Sequence, residues 1–116
     1  MTYVTVYRVV GPDNRGIYMG NGADLAGIDS RPSPMSPMPR DDGLDDMPVV
    51  THRFGFSCPL QLRNWFSAEQ RQLLHEAGAK VKVFQVSKGR VKFGGKQLTF
   101  NANKAKLLTT KQLTEV

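Results

Sequence analysis

The feature that most constrains the fold is a long stretch of two-residue periodicity, KVKVFQVSKGRVKFGGKQLTF, at residues 80–100. Successive side chains of a strand point to opposite faces, so Val81 and Val83 share one face while Phe84 and Val86 share the other. A strand that is apolar on both faces is typically central in its sheet. The stretch therefore predicts a strand that is central in its sheet.

The same stretch predicts two successive β-hairpins. Lys80–Ser87 would pair with Arg90–Phe93, and this second strand would pair with Lys96–Phe100. Gly94 and Gly95 would supply the two positive-φ residues that a tight hairpin turn requires. All three strands are then expected to lie in one sheet.

The N-terminal run TYVTVYRVV, residues 2–10, predicts another strand of that sheet, because β-branched and aromatic residues favour extended backbone. Arg8 interrupts a face that otherwise consists of valines. A buried guanidinium is costly unless it is paired. Arg8 is therefore expected to contact a carboxylate, backbone carbonyls or a ligand anion. After a turn at residues 11–14, a short return strand is expected at residues 15–19.

Residues 21–48 lack such regularity and are rich in proline, with the run PSPMSPMPR at their centre. They predict a long surface loop within the domain, since inserts of this length are usually functional or disordered. Two acid pairs, Asp41-Asp42 and Asp45-Asp46, are either solvated or hold a divalent cation. Their spacing does not match a calcium loop, so no metal site is assigned.

A strand at residues 49–56 and two short helices are predicted next. Ser57 is the expected N-cap of the first helix, with Pro59 in its first turn. Ser67 is expected to begin the second helix with a capping box, because Gln70 lies three residues further on. The apolar residues of both helices are expected to cover one face of the sheet: Leu62, Trp65, Phe66, Leu73 and Leu74.

The order of these elements predicts an α+β fold, a single domain of residues 1–116 with a mainly antiparallel sheet, two short helices and a long Pro-rich loop. Residues 104–116 are expected to form a last strand or a tail docked through Leu107, Leu108 and Leu113. No apolar run is long enough for a membrane span, and residues 1–10 lack the pattern of a signal peptide. We therefore expect a cytoplasmic protein without a membrane partner.

Charge is distributed unevenly along the chain. Residues 1–50 contain four arginines and seven aspartates, a net charge of −3, whereas residues 51–116 contain twelve basic and three acidic residues, a net charge of +9. The basic half is either the solvated face of half-buried strands or a surface for nucleic acid or another partner. The candidate surface residues are Lys80, Lys82, Lys88, Arg90, Lys92 and Lys96.

Two motifs, VYRVV at residues 6–10 and GGKQLTF at residues 94–100, resemble the outline of small ADP-ribosyltransferase-like domains. In that family an Arg or His of the first strand holds the dinucleotide, an aromatic residue packs on the nicotinamide, and a Glu of a late strand stabilises the oxocarbenium ion. Here Gln97 occupies the position of that Glu. Because glutamine has no negative charge for a developing cation, the resemblance implies a binder rather than a transferase.

No catalytic residue is therefore assigned, and no cofactor is assigned, although NAD or a related nucleotide would fit the resemblance. The resemblance places an aromatic contact at Tyr18 or Phe54 and lets His52 line the same hollow. The implied ligand-binding residues are Arg8, Tyr18, His52, Phe54 and Gln97.

The overall pattern, YRVVG followed by a proline-rich stretch, HRFGF, WF and GGKQLTF, resembles small accessory proteins of bacteriophages and prophages. The resemblance implies action by binding: inhibition of a host defence complex, as anti-CRISPR proteins do, or sequestration of a nucleotide-like ligand in the host cytoplasm. One alternative is an NAD-dependent ADP-ribosyltransferase. The other is a nucleic-acid-binding protein that uses the basic C-terminal half.

Overall fold

The first antiparallel sheet pairs the N-terminal strand with the predicted central strand. The computed structural model describes residues 2–16, 26–27, 42–44 and 52–116. In this part of the chain, strands β1 (Tyr3–Val10), β3 (Lys80–Ser87) and β6 (Lys106–Lys111) form the first sheet in the order β1-β3-β6. The register runs from Tyr3 opposite Ser87 to Val10 opposite Lys80. The predicted central strand is therefore confirmed as β3.

The second antiparallel sheet consists of β2 (His52–Gly55), β5 (Leu98–Asn101) and β4 (Val91–Phe93), in that order. The predicted hairpin between β4 and β5 is confirmed, with Phe93 opposite Leu98. The two sheets meet where Tyr7 and Phe56 exchange two backbone hydrogen bonds of 2.8 Å.

The predicted hairpin between Lys80–Ser87 and Arg90–Phe93 is wrong, and so is the single sheet for residues 3–10 and 80–100. Lys88–Arg90 form a 3-10 turn that carries the chain from the first sheet to the second. The physical reason is that β1 and β6 occupy both edges of β3, which leaves no edge for β4. Two-residue periodicity fixes which face a residue occupies but not which strand lies beside it.

Helices α1 (Pro59–Trp65) and α2 (Ala68–Glu76) follow β2. The N-cap of α1 is Cys58 rather than the predicted Ser57, whose Oγ lies 2.9 Å from the side-chain oxygen of Gln61. The capping box predicted for α2 is confirmed: Gln70 N donates to Ser67 Oγ at 3.1 Å, and Ser67 N donates to Gln70 Oε1 at 3.0 Å. In the described part of the chain, no helix is long and apolar enough to cross a membrane.

The helices, the first sheet and the second sheet form three layers with two apolar cores. The helix-side core includes four of the five predicted helix residues as buried side chains and Leu73 as a partly buried one. The buried helix residues are Leu62, Trp65, Phe66 and Leu74. The core between the sheets contains Val6, Val86, Leu98 and Phe100. The predicted α+β fold, with two helices and antiparallel sheets, is confirmed.

The predicted C-terminal strand is confirmed, but not all of the three leucines that were expected to dock on the core do so. Leu113 is fully buried in the helix-side core. Leu107 and Leu108, which were expected to dock with it, are 49% and 48% exposed. Leu107 lies opposite Phe84 and Thr109 opposite Val83, so Leu108 is the extra residue of a bulge in this edge strand.

Candidate functional site

Arg8 lies in β1 on the side that faces the second sheet. Its Nη1 donates a 2.8 Å hydrogen bond to the main-chain oxygen of Phe54 in β2. Burial, together with the positive charge of Arg53, lowers the pKa of Arg8 to about 10. Arg8 therefore remains protonated at neutral pH. Of the three kinds of partner expected from the sequence, it contacts a backbone carbonyl.

Among the described ligand-binding candidates, Phe54 contacts Arg8, and it does so through its backbone. His52 begins β2 opposite Asn101. Gln97 is buried at 7% exposure beside the turn between β4 and β5. Among the described residues, no hydrogen bond joins Arg8 to Gln97. Tyr18 lies outside the described residues, as does most of the predicted loop 21–48. Of the predicted return strand, residues 17–19 also lie outside them, whereas Gly16 forms a bridge with Val10.

Asp42 organises the turn between β4 and β5. Its carboxylate accepts hydrogen bonds from Lys96 N at 2.9 Å and from Gln97 N at 3.0 Å, while Gly95 N donates to the main-chain oxygen of Asp42. The sequence predicted that the acid pairs are either solvated or bind a cation. The Asp42 carboxylate instead binds the backbone of this turn. The sequence interpretation missed this interaction, because Asp42 and Lys96 are 54 residues apart.

The sequence predicted that Gly94 and Gly95 adopt positive φ in the hairpin turn, and this prediction is wrong. In the described part of the chain, the glycines with positive φ are Gly27, Gly43 and Gly78. A Cβ on Gly94 would lie 2.6 Å from the main-chain oxygen of Asp42, and one on Gly95 would lie 2.9 Å from its Oδ1. These glycines admit Asp42 by leaving space rather than by adopting a left-handed conformation.

The predicted basic surface is distributed over both sheets and two turns. Lys80 and Lys82 belong to β3, whereas Lys92 belongs to β4 and pairs with Thr99. The remaining residues, Lys88, Arg90 and Lys96, lie in the turns before and after β4. The six residues therefore belong to several elements of both sheets. Of these six residues, Lys82 lies directly opposite another cationic residue, Arg8 of β1.

The edge strand β6 is a surface that the sequence interpretation missed. It pairs with β3 on one side, and none of the described residues hydrogen-bonds to its other side. Residues 106–110 are all exposed. The available signal was the sequence KLLTTK, in which leucines are adjacent rather than alternating. Such a segment cannot bury both leucines against a single layer.

A comparison with known proteins assigns the chain to a protein family. The profile described as "Bacteriophage T4 Y00F protein" matches residues 1–114. The chain belongs to this phage protein family. No curated protein and no solved structure matches it significantly. The predicted resemblance to phage proteins is therefore confirmed, and the resemblance to ADP-ribosyltransferases is not shown.

Proposed function

We propose that this phage protein acts by binding a host protein complex in the cytoplasm of the infected cell, as an inhibitor of a host defence system. Membership of the bacteriophage T4 Y00F family supports the phage context. The observation that carries the binding proposal is the open, partly apolar edge of β6. Leu107 and Leu108 are each about half exposed there, next to main-chain groups to which none of the described residues hydrogen-bonds.

An extended segment of another protein can add a strand to such an edge. Backbone hydrogen bonds supply affinity in this mode, and pockets for alternate side chains supply specificity. Leu107 and Leu108 lie at a bulge and offer apolar contacts to a segment placed along the edge. Natural proteins usually blunt an exposed edge, because it is a template for pairing. Exposed leucines in this strand are therefore consistent with a binding role.

The charge at the edge favours an acidic partner over a second copy of the chain. Lys106 and Lys111 bound the strand, and Lys104 precedes it. Antiparallel pairing of two β6 strands in full register would place Lys106 opposite Lys111, and like charges directly opposite are destabilising. A segment with acidic residues at its ends would instead complement the lysines and associate faster. The partner that fits is an acidic extended segment of a host protein.

The test is quantitative capture from host cells that produce the tagged protein. A double variant, Leu107→Gln with Leu108→Gln, removes the apolar contacts of the edge while changing only exposed side chains. Leu60→Gln is the matched control, because Leu60 is 56% exposed and lies in α1 rather than at the edge. Wild type and the Leu60 variant should retain the same host complex, and the double variant should lose it.

The captured partner also allows a direct binding measurement. A synthetic peptide of its acidic segment should bind wild-type protein with an affinity that falls as NaCl increases, because exposed charges are screened. The double variant should bind it at least about tenfold more weakly, which corresponds to about 1.4 kcal/mol. Equal capture and equal peptide affinity for all three proteins would exclude β6 as the binding surface.

A further inference from the structure

In the described part of the chain, the helices cover one half of the first sheet. Val9, Val81 and Val83 lie in the helix-side core, and Tyr7 packs against it. Side chains at every second position of a strand share a face, so these residues mark the helix side of β1 and β3. The other residues on this side of the two strands are Tyr3, Thr5, Gln85 and Ser87.

The other half of this side is continuous across all three strands. The register places Tyr3 opposite Ser87, Thr5 opposite Gln85, and Gln85 opposite Lys106. Directly opposed residues of antiparallel strands point to the same face, with Cβ atoms about 5 Å apart. Tyr3, Thr5 and Lys106 are exposed, and Gln85 and Ser87 are half-buried. We call these five residues the open sheet face.

The open sheet face has a basic setting. Its strands contain one basic residue in β1, two in β3 and two in β6, and none of them contains Asp or Glu. Lys106 belongs to the face itself. Exposed Lys88 follows Ser87, and its main-chain nitrogen donates to the Thr2 carbonyl at 3.0 Å, which places it beside the end of β1. The described acidic residues all belong to other elements, so the face attracts a polyanion.

Tyr3 adds an aromatic ring that is 54% exposed. Bases of a single strand stack on such rings, and basic side chains beside the rings follow the phosphates. A sheet face with exposed aromatic residues is an established platform for this mode of binding. In a duplex the bases stack on one another, which keeps their faces from a ring on a sheet. An acidic peptide complements the lysines but has no base for the ring.

We propose that the open sheet face binds single-stranded nucleic acid. Tyr3 stacks on a base, and Lys88 and Lys106 contact phosphates. The Thr5 hydroxyl and the Gln85 amide offer hydrogen bonds to base edges or sugars. Tyr3 is two strands away from Lys106, about 10 Å at the usual strand spacing, so the bound segment spans a few nucleotides. This binding is noncovalent and goes beyond the role proposed for the edge of β6, because Tyr3 lies across β3 from that edge.

The experiment measures the affinity for a short labelled oligothymidylate by fluorescence anisotropy at low ionic strength. The competitors are unlabelled oligothymidylate, an abasic strand of the same length, the duplex of the same sequence and a polyglutamate peptide. Oligothymidylate should compete best. The abasic strand keeps the phosphates and lacks the bases, so it should compete about tenfold less well, the scale of one stacking contact.

One pair of variants tests the ring. Tyr3→Leu should weaken oligothymidylate binding by about tenfold and remove the preference over the abasic strand. Phe93→Leu is the matched control, because Phe93 is 49% exposed and lies in β4 of the other sheet. It should bind as wild type does. Both variants change exposed side chains, and their melting temperatures should equal that of wild type.

A second pair of variants tests the charge. Lys106→Gln should reduce the slope of log affinity against log salt concentration by about 0.7, the value for one phosphate contact of a single strand. Lys92→Gln, at an exposed position of β4, should keep the wild-type slope. In amide spectra, oligothymidylate should give saturable shifts of the Gln85 side-chain amide and leave that of Gln70 in α2 in place.

Four results would overturn the proposal. The first is the absence of saturable binding of oligothymidylate. The second is equal affinity for oligothymidylate and the abasic strand, which would show that charge alone acts. The third is equal loss of binding in the Tyr3 and Phe93 variants, which would place the strand elsewhere. The fourth is tighter binding of polyglutamate that depends on Lys106, since the face would then recognise an acidic protein.

Discussion

At Gly55 the two sheets approach closely enough for an alanine substitution to test their contact. A Cβ there would lie 2.7 Å from Val6 Cγ1 and 3.0 Å from the main-chain oxygen of Tyr7. Tyr7 O cannot withdraw, because it accepts the hydrogen bond of Phe56 N at 2.8 Å. We expect Gly55→Ala to lower the free energy of unfolding by about 1–3 kcal/mol, the usual cost of overpacking.

Urea denaturation measures this prediction, with Gly89→Ala as the control. Apart from its chain neighbours, no atom of the described residues lies within 4 Å of a Cβ at Gly89, and its φ is not in the left-handed region. The Gly89 variant should therefore be as stable as wild type or slightly more stable. Equal stability of the two variants would mean that the sheets separate easily at Gly55.

Arg71 in α2 presents the opposite case, a polar atom that the fold does not satisfy. Its Nη1 is buried and has no hydrogen-bond partner among the described residues. Leaving a buried donor unsatisfied costs about 1–3 kcal/mol. Arg71→Met keeps the length of the side chain and removes that donor, so we expect a gain in unfolding free energy of about 1 kcal/mol. The exposed Arg63→Met is the control, and a loss of stability in the Arg71 variant alone would show that its charge is useful.

At the scale of elements, the turn between β4 and β5 depends on Asp42 from a distant part of the chain. Its carboxylate accepts from Lys96 N and Gln97 N. We expect Asp42→Ala to destabilise the protein by about 1.5–3 kcal/mol, the range for hydrogen bonds to a charged group. Asp13→Ala is the control, because in the described part of the chain Asp13 accepts a single local bond of 3.1 Å, from Arg15 N.

The two aspartate variants are compared by chemical denaturation and by the amide spectra of the turn. The Lys96 and Gln97 amide resonances should move in the Asp42 variant and stay in place in the Asp13 variant. If the Asp42 variant is destabilised but these two resonances do not move, Asp42 stabilises a part of the protein other than this turn.

The sequence predicted elements better than it predicted their neighbours. The capping box at Ser67 and the β4–β5 hairpin are local, so residue types a few positions apart determine them. The pairing of β3 with β1 and β6 joins distant segments, and the periodicity of β3 contains no information about them. The contact of Asp42 with Lys96 spans 54 residues and could not be predicted for the same reason.

The candidate sites show the same limit. The sequence identified Arg8 as an unusual charge on an apolar face, and the structure gives it a carbonyl partner. Its neighbour Lys82 was predicted only as one of several surface lysines, since their opposition requires the register. Arg53 was not considered, because nothing in HRFGF shows that β2 lies over β1.

At the scale of the whole molecule, the first sheet is the layer that both cores share. Trp65 packs on the helix side, with its ring 5.6 Å from that of Phe56. Phe100 packs between the sheets, with its ring 5.5 Å from that of Phe84. Val83 and Val86 of β3 belong to opposite cores. Loss of either core therefore removes support from the same strand.

This arrangement predicts one cooperative unfolding transition. Trp65→Ala and Phe100→Ala should each cost about 3–5 kcal/mol, as large buried aromatic residues usually do. Both should lower the melting temperature without separating the transition into steps, whereas Leu60→Ala, at an exposed position, should have little effect. Circular dichroism and tryptophan fluorescence should give coincident melting curves for wild type and Phe100→Ala.

Hydrogen exchange tests the same prediction strand by strand. Amides of β3 should exchange most slowly, because both of its edges are paired and both of its faces contribute to the cores. Amides on the open edge of β6 should exchange fastest among the strands, since they have no partner there in the described part of the chain. In Phe100→Ala, β1 and β3 should lose protection together with β5. If β5 alone lost protection, the second sheet would be an independent unit packed on a self-sufficient two-layer domain, and the shared-sheet interpretation would be wrong.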